Sequence, residues 1–256
     1  MERTALLERL GTRRGPLVWR EGTVAERRQE TPEATTIVLD IPDWPGHLAG
    51  MHVDVRLTAE DGYQAERSYS IASPPEDARV AITVQRIDDG EVSPYLTDEL
   101  QVGDQLELRG PIGGYFTWHV DDGGPLLLVA GGSGLVPLMA MLRHRRCQSS
   151  KADTRLLLSA RRLAVVLYAD ELTQAATDDG VAIHYTLTNE PSDQWQGWTR
   201  RVDAEMLAEV GPPPVEQPLI YVCGPTPFVE TVANQLVDLG HTPDRVRTER
   251  FGPTGG

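Results

Sequence analysis

Cysteine is scarce in this chain: Cys147 and Cys223 are the two found in 256 residues. Two thiols build no disulfide framework, and alone they cannot hold an iron–sulfur cluster that takes four thiolates. Positive charge is also in short supply, with 24 Lys+Arg against 38 Asp+Glu and a formal net charge of −14. Phosphate backbones need a net basic face, so no nucleic-acid partner is expected. Residues 1–10 are charged and lack a continuous apolar stretch. No secretion signal is expected there, and a soluble cytoplasmic protein is the default reading. Residues 125–142 carry no charge and have the length of a membrane span. Gly131-Gly132-Ser133-Gly134 interrupts that run and Pro137 follows. A strand, a glycine turn and a helix explain it better, so no membrane contact is expected. Six histidines, His47, His52, His119, His144, His184 and His241, show no metal-ligand spacing, and no metal is expected.

The chain is long enough for two ordinary domains. Its first half alternates at period two over residues 36–41, 51–57, 79–85 and 105–109. Turn signals separate these runs: Pro45-Gly46, Asp61-Gly62, Pro74-Pro75 and Asp88-Asp89-Gly90. Short strands at this spacing suggest an antiparallel barrel or sandwich. After a linker at Asp121-Asp122-Gly123-Gly124 the rhythm changes. Apolar strand runs at 126–130, 155–159, 181–187 and 219–223 alternate with helical stretches ending near 147 and covering 168–176, 204–209 and 228–239. That alternation argues an α/β doubly wound parallel sheet. The expected division is an extension over 1–16, a first domain over 17–120 and a second over 125–256.

A buried strand running into Gly131-Gly132-Ser133-Gly134-Leu135-Val136-Pro137 and then a helix makes a phosphate site. Free N–H groups and the helix dipole attract an anion there, and glycine lets it approach. The strict dinucleotide pattern has a third glycine where Pro137 stands, so the match is partial, and a plain tight turn is the other reading. The run has no P-loop lysine, and Leu135 replaces the last glycine of a hydrolase elbow. The next strand ends Leu158-Ser159-Ala160-Arg161-Arg162. NAD sites carry an acid there, whereas a guanidinium suits the extra 2′-phosphate of NADP. Solvated surface arginines are the alternative.

Six short motifs in order carry a family resemblance over residues 17–252. Arg67-Ser68-Tyr69-Ser70 resembles the R-x-Y-S flavin motif of the ferredoxin–NADP reductase family. Gly90-Glu91-Val92-Ser93 is similar to its G-x-x-S turn, and Gly110-Pro111-Ile112-Gly113-Gly114-Tyr115-Phe116 to its G-P-x-G-x-F. The glycine turn resembles its G-G-x-G-x-x-P, Cys223-Gly224-Pro225 its C-G-P, and Glu249-Arg250-Phe251 its closing acid-x-aromatic. The resemblance implies a Greek-key β-barrel that holds FAD, preferred over FMN, ahead of the nicotinamide domain.

It also implies roles. Arg67 would neutralise the flavin pyrophosphate, with Ser68 beside it in the motif. Tyr69 would lie on the isoalloxazine and Ser70 would donate near N5. N–H groups around Gly90, Val92 and Ser93 would hold the phosphates at a helix start. Gly132, Ser133 and Gly134 would cradle the nicotinamide dinucleotide, while Ser159, Arg161, Arg162 and Tyr168 would hold its adenine end. Cys223, with Gly224 and Pro225, would sit beside nicotinamide C4. Glu249 would assist proton traffic, and Phe251 would cover the flavin until nicotinamide displaces it. Where the family has Gly-Gln, this chain has Gly50-Met51.

The implied activity is hydride transfer from NADPH, favoured over NADH, to FAD, with electrons passing to a separate redox protein such as a ferredoxin. Many bacterial relatives continue into a ferredoxin domain; this sequence ends at Gly256, so a separate partner is expected. The basic run Arg143-His144-Arg145-Arg146 is a candidate docking patch for it, with compensation of the helix dipole as the other account. A stand-alone reductase of free flavin, quinone or ferric chelate, and a non-catalytic nucleotide-binding subunit, are the alternatives.

Overall fold

The computed structural model describes residues 17–190 and 195–251. The expected extension over 1–16 and the motif end at 252 lie outside them. The chain divides into two compact units: one runs to Asp121 and takes in Met139–Gln148, and the other is Asp122–Leu138 with Ser149 onward.

The first unit is an antiparallel sheet of six strands: β1 (Trp19–Thr31), β2 (Ala34–Asp40), β3 (His52–Thr58), β4 (Gln64–Ser70), β5 (Val80–Gln85) and β6 (Gln105–Ile112). Their order is β4-β3-β6-β1-β2-β5. Past β4 the chain reaches β5, where Ile71 bridges Ile82 and the Ala72 N–H donates to the Ala81 carbonyl at 2.7 Å. That contact brings the two edge strands together, the closure of a Greek-key barrel. Alternation fills the interior: Ile37 and Leu39, Val53 and Val55, Ile82 and Val84, and Leu106 and Leu108 are all buried. The odd positions of β3 point in. The even ones, Asp54 and Arg56, meet Arg109 at 2.7 Å and Glu107 at 2.7 Å. The Arg56 and Arg109 guanidiniums lie 4.1 Å and 4.7 Å from the Trp19 ring.

Three strands are not anticipated from the period. β1 buries Val24 but also carries Arg20, Glu21, Glu26, Arg27, Arg28 and Glu30. Its position between β6 and β2 comes from backbone pairing, to which its composition gives little clue. β4 and β11 (Val246–Phe251) are also polar strands, paired along one side to β3 and β10.

The second unit is a parallel sheet of β7 (Leu126–Gly131), β8 (Thr154–Ala160), β9 (Ala182–Leu187), β10 (Leu219–Pro225) and β11, ordered β11-β10-β7-β8-β9. β7 is first in sequence and lies between β8 and β10, so the direction of winding reverses beside it. Nucleotides bind at the carboxyl ends of strands at such a switch point. Helices α1 (Leu135–Cys147), α2 (Ala169–Asp178), α3 (Ala204–Val210) and α4 (Thr226–Asp238) connect the strands. Among the described residues, no helix is long and apolar enough to cross a membrane.

The candidate docking patch needs correction. His144 is 1 % exposed and Arg145 4 %. Arg143 donates to the Ala72 carbonyl at 2.8 Å, and His144 Nδ1 lies 2.8 Å from Glu76. Arg146 is the exposed member of the run. A docking patch needs charges that face solvent, and here packing turns most of the run inward.

His47 makes the barrel unit acid-sensitive. Its Nδ1 accepts from the Trp44 indole at 3.3 Å, which leaves Nε2 to donate to the Ser73 carbonyl at 3.0 Å. Burial pushes this imidazole down from 6.5 to about 4. Between those values the unfolded chain binds the extra proton, so stability falls as pH drops through that window. The loss amounts to roughly 3 kcal/mol by about pH 4. His47→Gln, which keeps a neutral donor and acceptor, is expected to flatten the fall in urea midpoint from about pH 7 to about pH 4. An unchanged slope would mean His47 does not titrate as described.

Candidate active site

In the barrel unit the flavin motif is the end of β4. Its register places Val55 opposite Arg67, Asp54 opposite Ser68, Val53 opposite Tyr69 and His52 opposite Ser70. Alternation therefore separates the motif. Arg67 and Tyr69 share the face of buried Ala65, whereas Ser68 lies on the other face and its hydroxyl donates to Asp54 at 2.6 Å. Tyr69 packs against the barrel core, and burial raises its phenol pKa. Ser70 is buried.

Arg67 donates from one nitrogen to the Glu66 carbonyl at 2.7 Å and from another to Glu91 at 2.6 Å. Glu91 belongs to the Gly90–Ser93 turn. Gly90 N–H donates to the Ile87 carbonyl at 2.9 Å, and the Ser93 hydroxyl accepts from the Ile87 N–H at 3.0 Å. A Cβ on Gly90 would stand 2.8 Å from that hydroxyl, which accounts for glycine there. Val92 and Ser93 are buried. The helix expected to start here is a five-residue π-helical turn, Tyr95–Glu99. Nearby, Gly50 (φ +99°) stands where a Cβ would be 2.0 Å from the Phe116 carbonyl oxygen. The residue before Met51 is thereby limited to glycine, and it meets the loop of the second glycine motif.

In the nucleotide unit, β7 runs into a 3₁₀ turn, Gly132–Gly134, and then α1. Gly132 has φ +56° with open space around its Cβ position. Gly134 has none: a Cβ would lie 2.1 Å from the Cys223 carbonyl oxygen. Gly131 and Gly224 each leave room for the Phe228 ring, which a Cβ on either would meet at 2.9 Å. Ser133 is half-buried beside them. The pairings Ala130 with Cys223, Gly131 with Ser159, Cys223 with Glu249 and Pro225 with Phe251 bring the scattered motifs onto one carboxyl edge of the sheet.

Cys223 is fully buried, and its thiol donates to a Glu249 carboxylate oxygen at 3.7 Å. Burial first, and Glu249 second, push the thiol far up, so it stays neutral and is a weak donor, with no role as a nucleophile. Pro225 is exposed and Phe251 half-buried. Beyond β8, Arg161 and Arg162 are exposed and Ser159 is half-buried. Tyr168 precedes α2 in the left-handed conformation (φ 55°) and is 4 % exposed. The helix expected from 168 therefore begins one residue later, at Ala169.

Three contributors escape sequence reasoning. Glu91 occupies a variable position of its turn, and Tyr63, whose hydroxyl donates to Glu91 at 2.8 Å, precedes the flavin motif. Phe228 reads as one more apolar position of α4. An acid inside a phosphate-type turn is the one signal that could have marked Glu91. Among the described residues, no group of three or more His, Cys, Asp or Glu is placed to hold a metal.

Residues 22–117 match the oxidoreductase FAD-binding domain, and residues 128–234 the oxidoreductase NAD-binding domain. That pair defines an FAD-dependent oxidoreductase that works with a nicotinamide nucleotide. The chain belongs to the oxidoreductases that join this FAD-binding domain to this NAD-binding domain, and it has the fold of the ferredoxin–NADP⁺ reductase of Neisseria gonorrhoeae, which superposes with a TM-score of 0.77 at 20 % identity, covering 91 % of this chain and 98 % of that one. It is 30 % identical over 213 residues to the glycine betaine monooxygenase reductase subunit of Pseudomonas aeruginosa, covering 82 % of this chain and 56 % of the relative. It is 31 % identical over 252 residues to the flavohemoprotein of Rhizobium meliloti, covering 92 % and 61 %. The chain thus spans little more than half the length of these relatives. The flavohem-like FAD/NAD-binding domain of nitric oxide dioxygenase from Vibrio cholerae superposes with a TM-score of 0.79 at 27 % identity, covering 91 % of this chain and 99 % of that one.

Proposed function

We propose that this chain is an NADPH-dependent reductase that loads a bound FAD and delivers the electrons to a separate redox protein, a ferredoxin or an oxygenase. FAD, when bound, accepts a hydride and releases electrons one at a time, which suits a protein acceptor. The observation that carries the donor preference is the exposed pair Arg161 and Arg162 beyond β8, whose Ser159 pairs with Gly131 of the glycine turn. A guanidinium fork there meets a 2′-phosphate with two bonds, where an acid would repel it.

The donor set suits the flavin as well. Arg67 supplies charge for the phosphates, Tyr69 on the same face supplies a ring, and Ser70 is the hydroxyl assigned to N5. In the nucleotide unit, Gly132, Ser133 and Gly134 take the dinucleotide phosphates. Gly224 and Pro225 shape the place where Cys223, kept neutral, borders the nicotinamide, and Glu249 moves a proton. Tyr168 flanks the adenine end, and the Gly90, Val92 and Ser93 turn borders the flavin phosphates. The free thiols of Cys147 and Cys223 suit a reducing cytoplasm. The Pseudomonas relative is named as a reductase subunit of a monooxygenase, which supports a separate acceptor.

Anaerobic titration is the test. The purified protein should be yellow, and NADPH should bleach it at lower concentration than NADH. Retention of colour with both donors would sink the reading. Phe251, at the end of β11 and paired with Pro225, is assigned to the place nicotinamide takes. Phe251→Ser is expected to tighten NADP⁺ binding and slow product release, because a competitor is gone. Unchanged affinity in a difference-spectrum titration would leave Phe251 as a packing residue.

A further inference from the structure

Two separately fixed segments place a carboxylate on Arg67. The turn between β3 and β4 is closed by the Ala59 N–H donating to the Tyr63 carbonyl at 2.8 Å and the Tyr63 N–H donating to Asp61 at 3.0 Å. It holds Tyr63 with 58 % of its surface exposed and its hydroxyl on one oxygen of Glu91 at 2.8 Å. The other oxygen accepts from Arg67 at 2.6 Å. Glu91 itself stands on the turn that Ile87, Gly90 and Ser93 close. The hydrogen bond from Tyr63, and then that from Arg67, hold the Glu91 carboxyl below the usual carboxylate range. Glu91 is therefore charged at neutral pH. A carboxylate and a phosphate use a guanidinium in the same way, through paired N–H donors. With one N–H group of Arg67 already given to the Glu66 carbonyl, a phosphate arriving at that fork meets a negative charge on the adjoining nitrogen.

We propose that Glu91, braced by Tyr63, competes with the flavin's ribityl-linked phosphate for Arg67 and thereby sets how tightly this protein holds its flavin. The inference rests on the assignment of Arg67 to that phosphate. It makes the flavin more exchangeable than the arginine alone would allow. FAD and FMN both carry the phosphate and riboflavin does not, so the effect should separate them.

The test uses the full chain stripped of flavin and titrated with FAD, FMN and riboflavin, following quenching of flavin fluorescence. Glu91→Gln is expected to tighten FAD and FMN about three- to tenfold and to leave riboflavin unchanged. Tyr63→Phe should shift both in the same direction by less, because the carboxylate keeps its bond to Arg67 but loses its brace. Weaker FAD binding by Glu91→Gln, no change, or an equal change for riboflavin would overturn the competition. Arg67→Ala tells the two assignments apart. It should weaken FAD and FMN and spare riboflavin. If it leaves FAD and FMN as in the wild type, Arg67 does not hold the phosphate, and the competition falls with it.

Discussion

Arg161→Ala is expected to lower kcat/KM with NADPH about 10–150-fold, the loss of a charge-assisted bond of roughly 1.5–3 kcal/mol, and to leave the value with NADH nearly unchanged. The fold makes this a clean substitution. The Asn189 N–H donates to the Arg161 carbonyl at 2.8 Å, and the Thr188 N–H to the Ala160 carbonyl at 3.0 Å, so the backbone after β8 is held without the side chain. The guanidinium is exposed and can go without opening a cavity. Arg161→Lys should recover part of the loss, because an ammonium supplies the charge without the planar fork. Steady-state kinetics with both donors decide the matter. An equal loss with NADPH and NADH would remove Arg161 from the 2′-phosphate, and a selective loss in Arg162→Ala alone would transfer the role to its neighbour.

Gly134→Ala is expected to abolish most NADPH-dependent turnover and to destabilise the nucleotide unit by about 1–3 kcal/mol, while flavin content stays near that of the wild type. The alanine methyl would stand 2.1 Å from the Cys223 carbonyl oxygen and 2.7 Å from the Gly224 nitrogen. Both are backbone atoms of β10, so no rotamer change relieves the overlap. Either β10 moves away from β7 or the glycine turn moves out of position, and each breaks the edge on which the motifs meet. For a chain of this size each kcal/mol lowers Tm by roughly 2–4 °C. Gly132→Ala is the control: it has open space but a positive φ of +56°, so it carries backbone strain of about 1 kcal/mol without a clash. Equal stability and equal KM in the two variants would show that the close approach at Gly134 does not constrain the site.

Much of the nucleotide unit was legible because its signals are local. β7, the glycine turn and α1 follow one another within residues 126–147, so strand period, turn residues and helix appear in a single stretch. The inward residues of β2, β3, β5 and β6 were legible for the same reason, since period two is written along each strand. β1 was not, because its side chains are charged and its place is set by backbone bonds to β2 and β6. Of the two accounts of the basic run at the end of α1, packing removes the docking patch. Its sequence shows charge, but whether charge faces water depends on what packs there, and Ala72 and Glu76 are distant in the chain.

The sequence by itself determined the order of an antiparallel barrel and a parallel α/β unit, and the glycine turn that joins β7 to α1. Periodicity and turn chemistry are local, so they survive in a string of letters. Only the tertiary structure decided that Ser68 turns away from Arg67, that Glu91, held in turn by Tyr63, occupies that arginine, that Glu249 accepts from Cys223, and that Gly134 can be nothing but glycine. Most of these facts are distances between segments far apart in the chain. The opposite facing of Ser68 and Arg67 depends on residues 64–70 forming a strand at all, which their polar sequence conceals. Pairing register and close packing set such facts, and composition along the chain does not record them.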